Sequence, residues 1–188
     1  MAHRADGQQF QKCISKALKG IFIRCYRSLR AIRTENEEMF TLEDMPESRI
    51  AYLRRVGPYG AANAVHMEKL KSWAAERDLL RTDTAVLGIA RDDPARTPPH
   101  ACRYDTCLLV SDDTDLQDPE IGESRLTGGR HAVLTVAHTS EALAEAWSGL
   151  FGDLAAQGFA FDAARPVLER YRPSLLARHL CEICVPVH

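Results

Sequence analysis

The chain has 188 residues, is 45% hydrophobic and 27% charged, and carries a formal net charge of -2. That length allows one good core, or one domain plus an appendage. No apolar run approaches the ~18–20 residues of a membrane helix, and no early apolar stretch ends in small residues, so a cytoplasmic chain without membrane span or signal peptide is expected.

Residues 1–33 form a basic arm. Arg4, Lys12, Lys16, Lys19, Arg24, Arg27, Arg30 and Arg33 stand against Asp6 alone, a net +7 that leaves -9 for the rest. Phe10, Ile14, Ala17 and Leu18 recur at helical spacing; Gly20 breaks that helix, and Tyr26, Leu29 and Ile32 continue in a second. Residues 34–48 are acidic, contain Pro46, and read as a linker. A strand over 49–56 ends at Gly57-Pro58. A helix over 61–79 turns Ala64, Met67, Leu70, Trp73 and Ala74 inward. A short strand (85–90), a Pro-rich loop (92–100) and a strand (102–110) follow. An acidic connector over 111–128 ends in Gly128-Gly129. Then come a strand (131–137), a helix (140–157) and two strands (167–171 and 180–187).

The order strand–helix–strand–strand therefore occurs twice. Ala51 and Leu53 match Ala132 and Leu134, KLKSWAAERDL (69–79) matches GLFGDLAAQGF (149–159), Val86-Leu87 matches Val167-Leu168, and YDTCLLV (104–110) matches CEICVPV (181–187). A repeated unit rarely buries its apolar face alone, so the copies should pack together, with a pocket at their seam.

Strand alternation assigns faces. Thr106, Leu108 and Val110, with Ile183, Val185 and Val187, should lie under the helices. Asp105, Cys107 and Leu109, with Glu182, Cys184 and Pro186, take the other face. Val167, Glu169 and Tyr171 share a face, with Val86, Gly88 and Ala90 as counterparts. The expectation is that Glu169, Glu182 and Asp105 all lie on the non-helix face, with Tyr52 beside them. A carboxylate on an apolar face waits for a cation or becomes an acid/base group; on a solvent-exposed face it is ordinary. Trp147 and Phe151 share a helix face, where they either pack the core or line a pocket.

The six cysteines are expected to be free thiols. Cys181 and Cys184 lie three apart on a strand and point to opposite faces, which does not suit a zinc knuckle, so no metal is expected. His66, His131 and His138 stand near no recognisable nucleophile, and no cofactor is implied.

Several motifs carry a resemblance, in order over about 49–188: VGPYGAANAVHMEKLKSWA, CRYDTCLLV, GGRHAVLTVAHTSEALAEAWSGLF, RPVLERY and CEICVPV. Together they resemble the GyrI-like small-molecule-binding domain, which is also the effector-binding domain of some AraC-type and MerR-type transcription regulators. The resemblance implies an α+β fold: a pseudo-twofold repeat of two strand–helix–strand–strand units, forming a concave antiparallel sheet with helices on one face and a ligand groove on the other. It implies lipophilic, often cationic ligands. It places pocket glutamates at Glu169 in LERY and Glu182 in CEICV, and groove aromatics at Tyr59, Trp147 and Tyr171. QQFQKCISKALKG with IRCYRSLRAIR is similar to the end of an AraC-type helix-turn-helix domain, a partial remnant whose DNA contacts would fall on Lys12, Lys16, Lys19, Arg24, Arg27 and Arg30.

Three functions compete. One is binding of lipophilic cations, as a sensor or sequestering protein, with Glu169, Glu182, Tyr171, Trp147, Tyr59, Phe151, Tyr52 and Asp105 as ligand residues. The second is hydrolysis of cyclopropane-bearing alkylators, with Glu169 and Glu182 as an acid/base pair. The third is a transcription regulator or gyrase inhibitor, with DNA or DNA gyrase as partner and at most weak nucleic-acid contact through the arm.

Overall fold

A computed structural model of the chain describes residues 39–188. The helices read in the basic arm, and residues 34–38 of the acidic stretch, lie outside the described residues. The described part is an α+β unit: one eight-stranded antiparallel sheet with helices on one face.

The strands are β1 (Thr41–Met45), β2 (Ser48–Val56), β3 (Val86–Ala90), β4 (Arg103–Leu109), β5 (Gly122–Leu126), β6 (Gly129–Ala137), β7 (Leu168–Tyr171) and β8 (Leu180–Pro186). The helices are α1 (Ala61–Ala75), α2 (Ser140–Ala156) and the one-turn α3 (Pro173–Leu176). The expected repeat is present as β2–α1–β3–β4 and β6–α2–β7–β8. The copies join through β3 and β7, the central pair of the sheet order β1-β6-β8-β7-β3-β4-β2-β5.

Two strands and two single turns of helix, Pro99–Ala101 and α3, go beyond the expected pattern. The acidic stretch taken as a linker forms β1 over Thr41–Met45, which pairs with β6. The acidic connector holds β5, which pairs with β2. Both are short, largely polar edge strands, so hydrophobic alternation has little to show. The single turn of α3 is too short for a period.

α1 also stops before the expected 79. Asp78 takes a left-handed φ of 55°, and the Leu79 amide donates to the Ala74 carbonyl, a Schellman stop. The second copy repeats it with Gly158 (φ 81°) and Phe159 donating to Leu154. At its start, α2 is capped by the Thr139 hydroxyl, which accepts from the Ala142 amide.

Two short links decide the curvature. β1 reaches β2 through Pro46-Glu47 alone, and β5 reaches β6 through Thr127-Gly128 alone. β1 and β2 stand six strand spacings apart in the sheet order, ~29 Å if the sheet were flat. Three Cα steps cover at most ~11 Å. The sheet must curl until its ends approach. The links do meet: a Cβ on Gly128 would lie 2.5 Å from the Glu47 nitrogen and 2.7 Å from the Met45 oxygen, a space only glycine fits.

The two faces form two cores. The helix face holds Ala51, Leu53, Val86, Leu108 and Tyr171 against Met67, Leu70, Trp73 and Ala74 of α1. The inner face of the curl packs on itself with Ile50, Leu87, Ile89, Cys107, Leu126, Val133, Leu168 and Cys184. The inner face of the curl, where the groove is expected, thus carries an apolar core of its own.

Candidate functional site

Register fixes which way each carboxylate points, since directly paired residues share a face. On β7 and β8, Glu169 pairs with Ile183 and Arg170 with Glu182. Glu169 therefore lies on the helix face and Glu182 on the inner face. The expectation that they share one face is corrected, and with it the acid/base pair converging on one ligand atom. The phase within β7 was read correctly, with Glu169 and Tyr171 together. The error lay in the relative phase of β7 and β8, which the intervening α3 turn sets and the pattern does not show.

On the inner face the carboxylates are consumed by arginines. Asp105, fully buried, accepts from Arg54 Nε (2.6 Å), Arg54 Nη2 (2.8 Å) and Arg91 Nε (2.6 Å). Glu182 accepts from Arg170 Nε (2.8 Å) and from Arg172. Arg170 extends to β1, where both its terminal nitrogens donate to Glu43 at 2.7 Å. Burial would raise the Glu182 carboxyl, but its bonds to Arg172 and Arg170 outweigh that and hold it below its ordinary value. Asp105 and Glu182 are therefore both paired with arginines within the fold. Tyr52 is also on this face, against Gly122 and under the Arg54 guanidinium at 5.1 Å.

On the helix face a different arrangement surrounds Glu169. Its Oε1 accepts from the indole nitrogen of Trp147 on α2 at 2.8 Å. Its Oε2 accepts from the hydroxyls of Tyr104 on β4 and Tyr171 on β7, both at 2.9 Å. Among the described residues no arginine, lysine or histidine forms an ion pair with it. Burial, followed by the nearby negative charge of Glu169, pushes both tyrosine hydroxyls well up, so they remain protonated donors. Beyond Tyr104 stands Tyr59: its ring meets Tyr104 edge-on at 6.2 Å, and its hydroxyl donates to the Asp92 carbonyl at 2.9 Å. His138 packs edge-on against Tyr171 at 5.4 Å.

Of the expected ligand residues, the structure brings together Glu169, Tyr171 and Trp147, with Tyr59 one ring further out against Tyr104. It separates Glu182, Asp105 and Tyr52 onto the inner face. Phe151 is half exposed and packs against Phe161 with the rings tilted, 4.9 Å apart. Tyr104 was missed. Its phase placed it with Thr106 and Leu108 under the helices, a position that reads as core. Its hydroxyl was the available signal, because a buried tyrosine needs a partner. Lys12, Lys16, Lys19, Arg24, Arg27 and Arg30 lie outside the described residues.

The family model that matches is the GyrI-like small molecule binding domain, over residues 38–188. The chain belongs to that family. It is similar to the SPbeta prophage-derived putative transcriptional regulator YosT of Bacillus subtilis, 38% identical over 149 residues, which span 78% of this chain and 97% of that one. It is 30% identical over 116 residues to DNA gyrase inhibitor 2 of Dickeya dadantii, covering 61% and 73% of the two chains. Among solved structures it shares its fold with EcmrR in a DNA complex, at TM-score 0.63 and 15% identity over 96% of this chain and 69% of that one. SAV2435 bound to tetraphenylphosphonium matches at TM-score 0.50 and 11% identity, over 80% and 94%. This chain thus carries a small-molecule-binding domain with regulator-like and gyrase-inhibitor relatives. Among the described residues no helix is long and apolar enough to cross a membrane.

Proposed function

We propose that the domain binds a lipophilic aromatic cation against Glu169, between the rings of Trp147, Tyr171, Tyr104 and Tyr59. One observation carries this reading. Glu169 is the carboxylate whose oxygens meet three neutral donors and no fixed cation among the described residues. Such donors orient a carboxylate without bringing a formal charge that would cancel its own. The aromatic walls add a surface that attracts cations through their ring faces. The tetraphenylphosphonium bound to SAV2435, a protein of the same fold, supports that ligand class. Calorimetric titration with tetraphenylphosphonium tests it. Glu169→Gln should weaken binding roughly 10- to 100-fold, the scale of a charged interaction of ~1–3 kcal/mol. Unchanged affinity in that variant would remove Glu169 from the site.

The names of the relatives support a regulatory setting, with DNA or gyrase as a macromolecular partner. The +7 arm suits weak, salt-sensitive phosphate contact, and a gel-shift titration across salt checks it.

A further inference from the structure

The pseudo-twofold relation has a centre, and the two copies differ there. Residues 86–87 correspond to 167–168, which makes Gly88 the counterpart of Glu169. In the sheet these same two residues pair directly, Gly88 with Glu169, flanked by Leu87 with Arg170. The axis relating the copies passes through this pair. One copy supplies the charge of the site, and the other supplies no side chain at all.

The vacancy is filled. A Cβ on Gly88 would lie 2.0 Å from the Tyr104 hydroxyl oxygen, 2.9 Å from its Cζ and 3.0 Å from Glu169 Oε2. Gly88 sits mid-strand with no left-handed φ, so its backbone does not require glycine. What requires it is space: the Tyr104 hydroxyl crosses the strand at this point to reach Glu169. Tyr104 is only 3% exposed and has Tyr59 at its edge, so its ring has little room to swing aside.

We infer that Gly88 is the positioning residue of the site: its missing side chain is the space in which Tyr104 orients the Glu169 carboxylate for a cation. This rests on the proposed role of Glu169. Its consequence is one site at the seam rather than two, because a side chain on the other half of the axis would occupy the place of the tyrosine hydroxyl.

The test compares Gly88→Ala, Tyr104→Phe, their double variant and Glu169→Gln, each titrated with tetraphenylphosphonium and followed by the Trp147 indole N–H resonance. Gly88→Ala should weaken binding ~10-fold or more and shift that resonance, while Tyr104→Phe alone, which deletes one of three donors and adds no clash, costs ~3- to 5-fold, about the scale of one net hydrogen bond. Removing the hydroxyl removes the 2.0 Å clash, so the double variant should bind better than Gly88→Ala. Should Gly88→Ala fail to fold, the double variant should restore folding. Wild-type affinity in Gly88→Ala, or a double variant that recovers neither binding nor folding, overturns the inference. Wild-type affinity in Glu169→Gln instead overturns the parent reading, and leaves the Gly88 result to be read from the indole resonance.

Discussion

Glu169 and Glu182 stand on adjacent antiparallel strands, yet their surroundings are opposite in kind. Glu182 is locked by Arg170 and Arg172, with Glu43 sharing Arg170. Glu169 is held by an indole and two phenols. Fixed guanidinium groups cancel a carboxylate's field, and the cluster then serves the fold. Neutral dipoles stabilise the anion but leave its field to act on a mobile cation. The two carboxylates differ in the charge of their donors, and the proposed binding role of Glu169 rests on that difference.

The sharpest way to break this contrast is to neutralise each group in turn. Glu182→Gln should cost about 2–4 kcal/mol of stability in urea unfolding. It leaves Arg170 buried with less compensation, although Glu43 still engages it. Glu169→Gln should cost under about 1 kcal/mol, since the amide oxygen can still accept. Equal losses in the two variants would erase the distinction.

Acid sharpens the same comparison. Glu182 and Glu43 are held below their ordinary value of 4.5 in the fold, Glu43 chiefly by its bond from Arg170. A lowered folded value means stability that is present above about pH 4.5 and is lost as pH falls through the lowered values. The thermal unfolding temperature should therefore fall progressively below that point. A Glu43→Gln/Glu182→Gln variant should start less stable and show a flatter pH profile.

A smaller effect should follow from removing one neutral donor. Trp147→Phe keeps an aromatic wall but deletes the indole N–H, so tetraphenylphosphonium affinity should fall ~3- to 10-fold, with stability changing by under about 1 kcal/mol. The smallest response is expected from the thiols. Burial raises Cys181 to about 11 and Cys184 to about 12. Neither should react with iodoacetamide at neutral pH until urea unfolds the domain, which mass spectrometry would show.

Much of the fold was legible in the sequence because the repeat supplied its own control: both helices, the six long-patterned strands and the order of elements follow from matched apolar positions. β1 and β5 were not, because polar edge strands are specified by their partners rather than by their own alternation. At the candidate site, the resemblance and the phase of β7 point to Glu169, Tyr171 and Trp147, which the fold places in hydrogen-bond contact. Tyr104 was hidden by its core phase. Glu182 and Asp105 were misplaced because sequence shows a carboxylate on a strand but not the arginines that reach it: Arg54 and Arg91 come from β2 and from the residue just after β3, while Arg170 and Arg172 come from β7 and the residue following it.

The two first strands carry a further consequence. β1 precedes the first copy but completes the edge of the second, and β5 precedes the second but completes the edge of the first. This is the wiring of a strand-exchanged dimer of half-length chains, written as one polypeptide. Neither half holds a finished sheet. Severing the connector between Asp112 and Glu120 should yield two fragments that remain clasped and unfold together, not two domains. The seam where they meet is also where Glu169 stands, so a ligand bound there adds its binding free energy to the work of parting the halves.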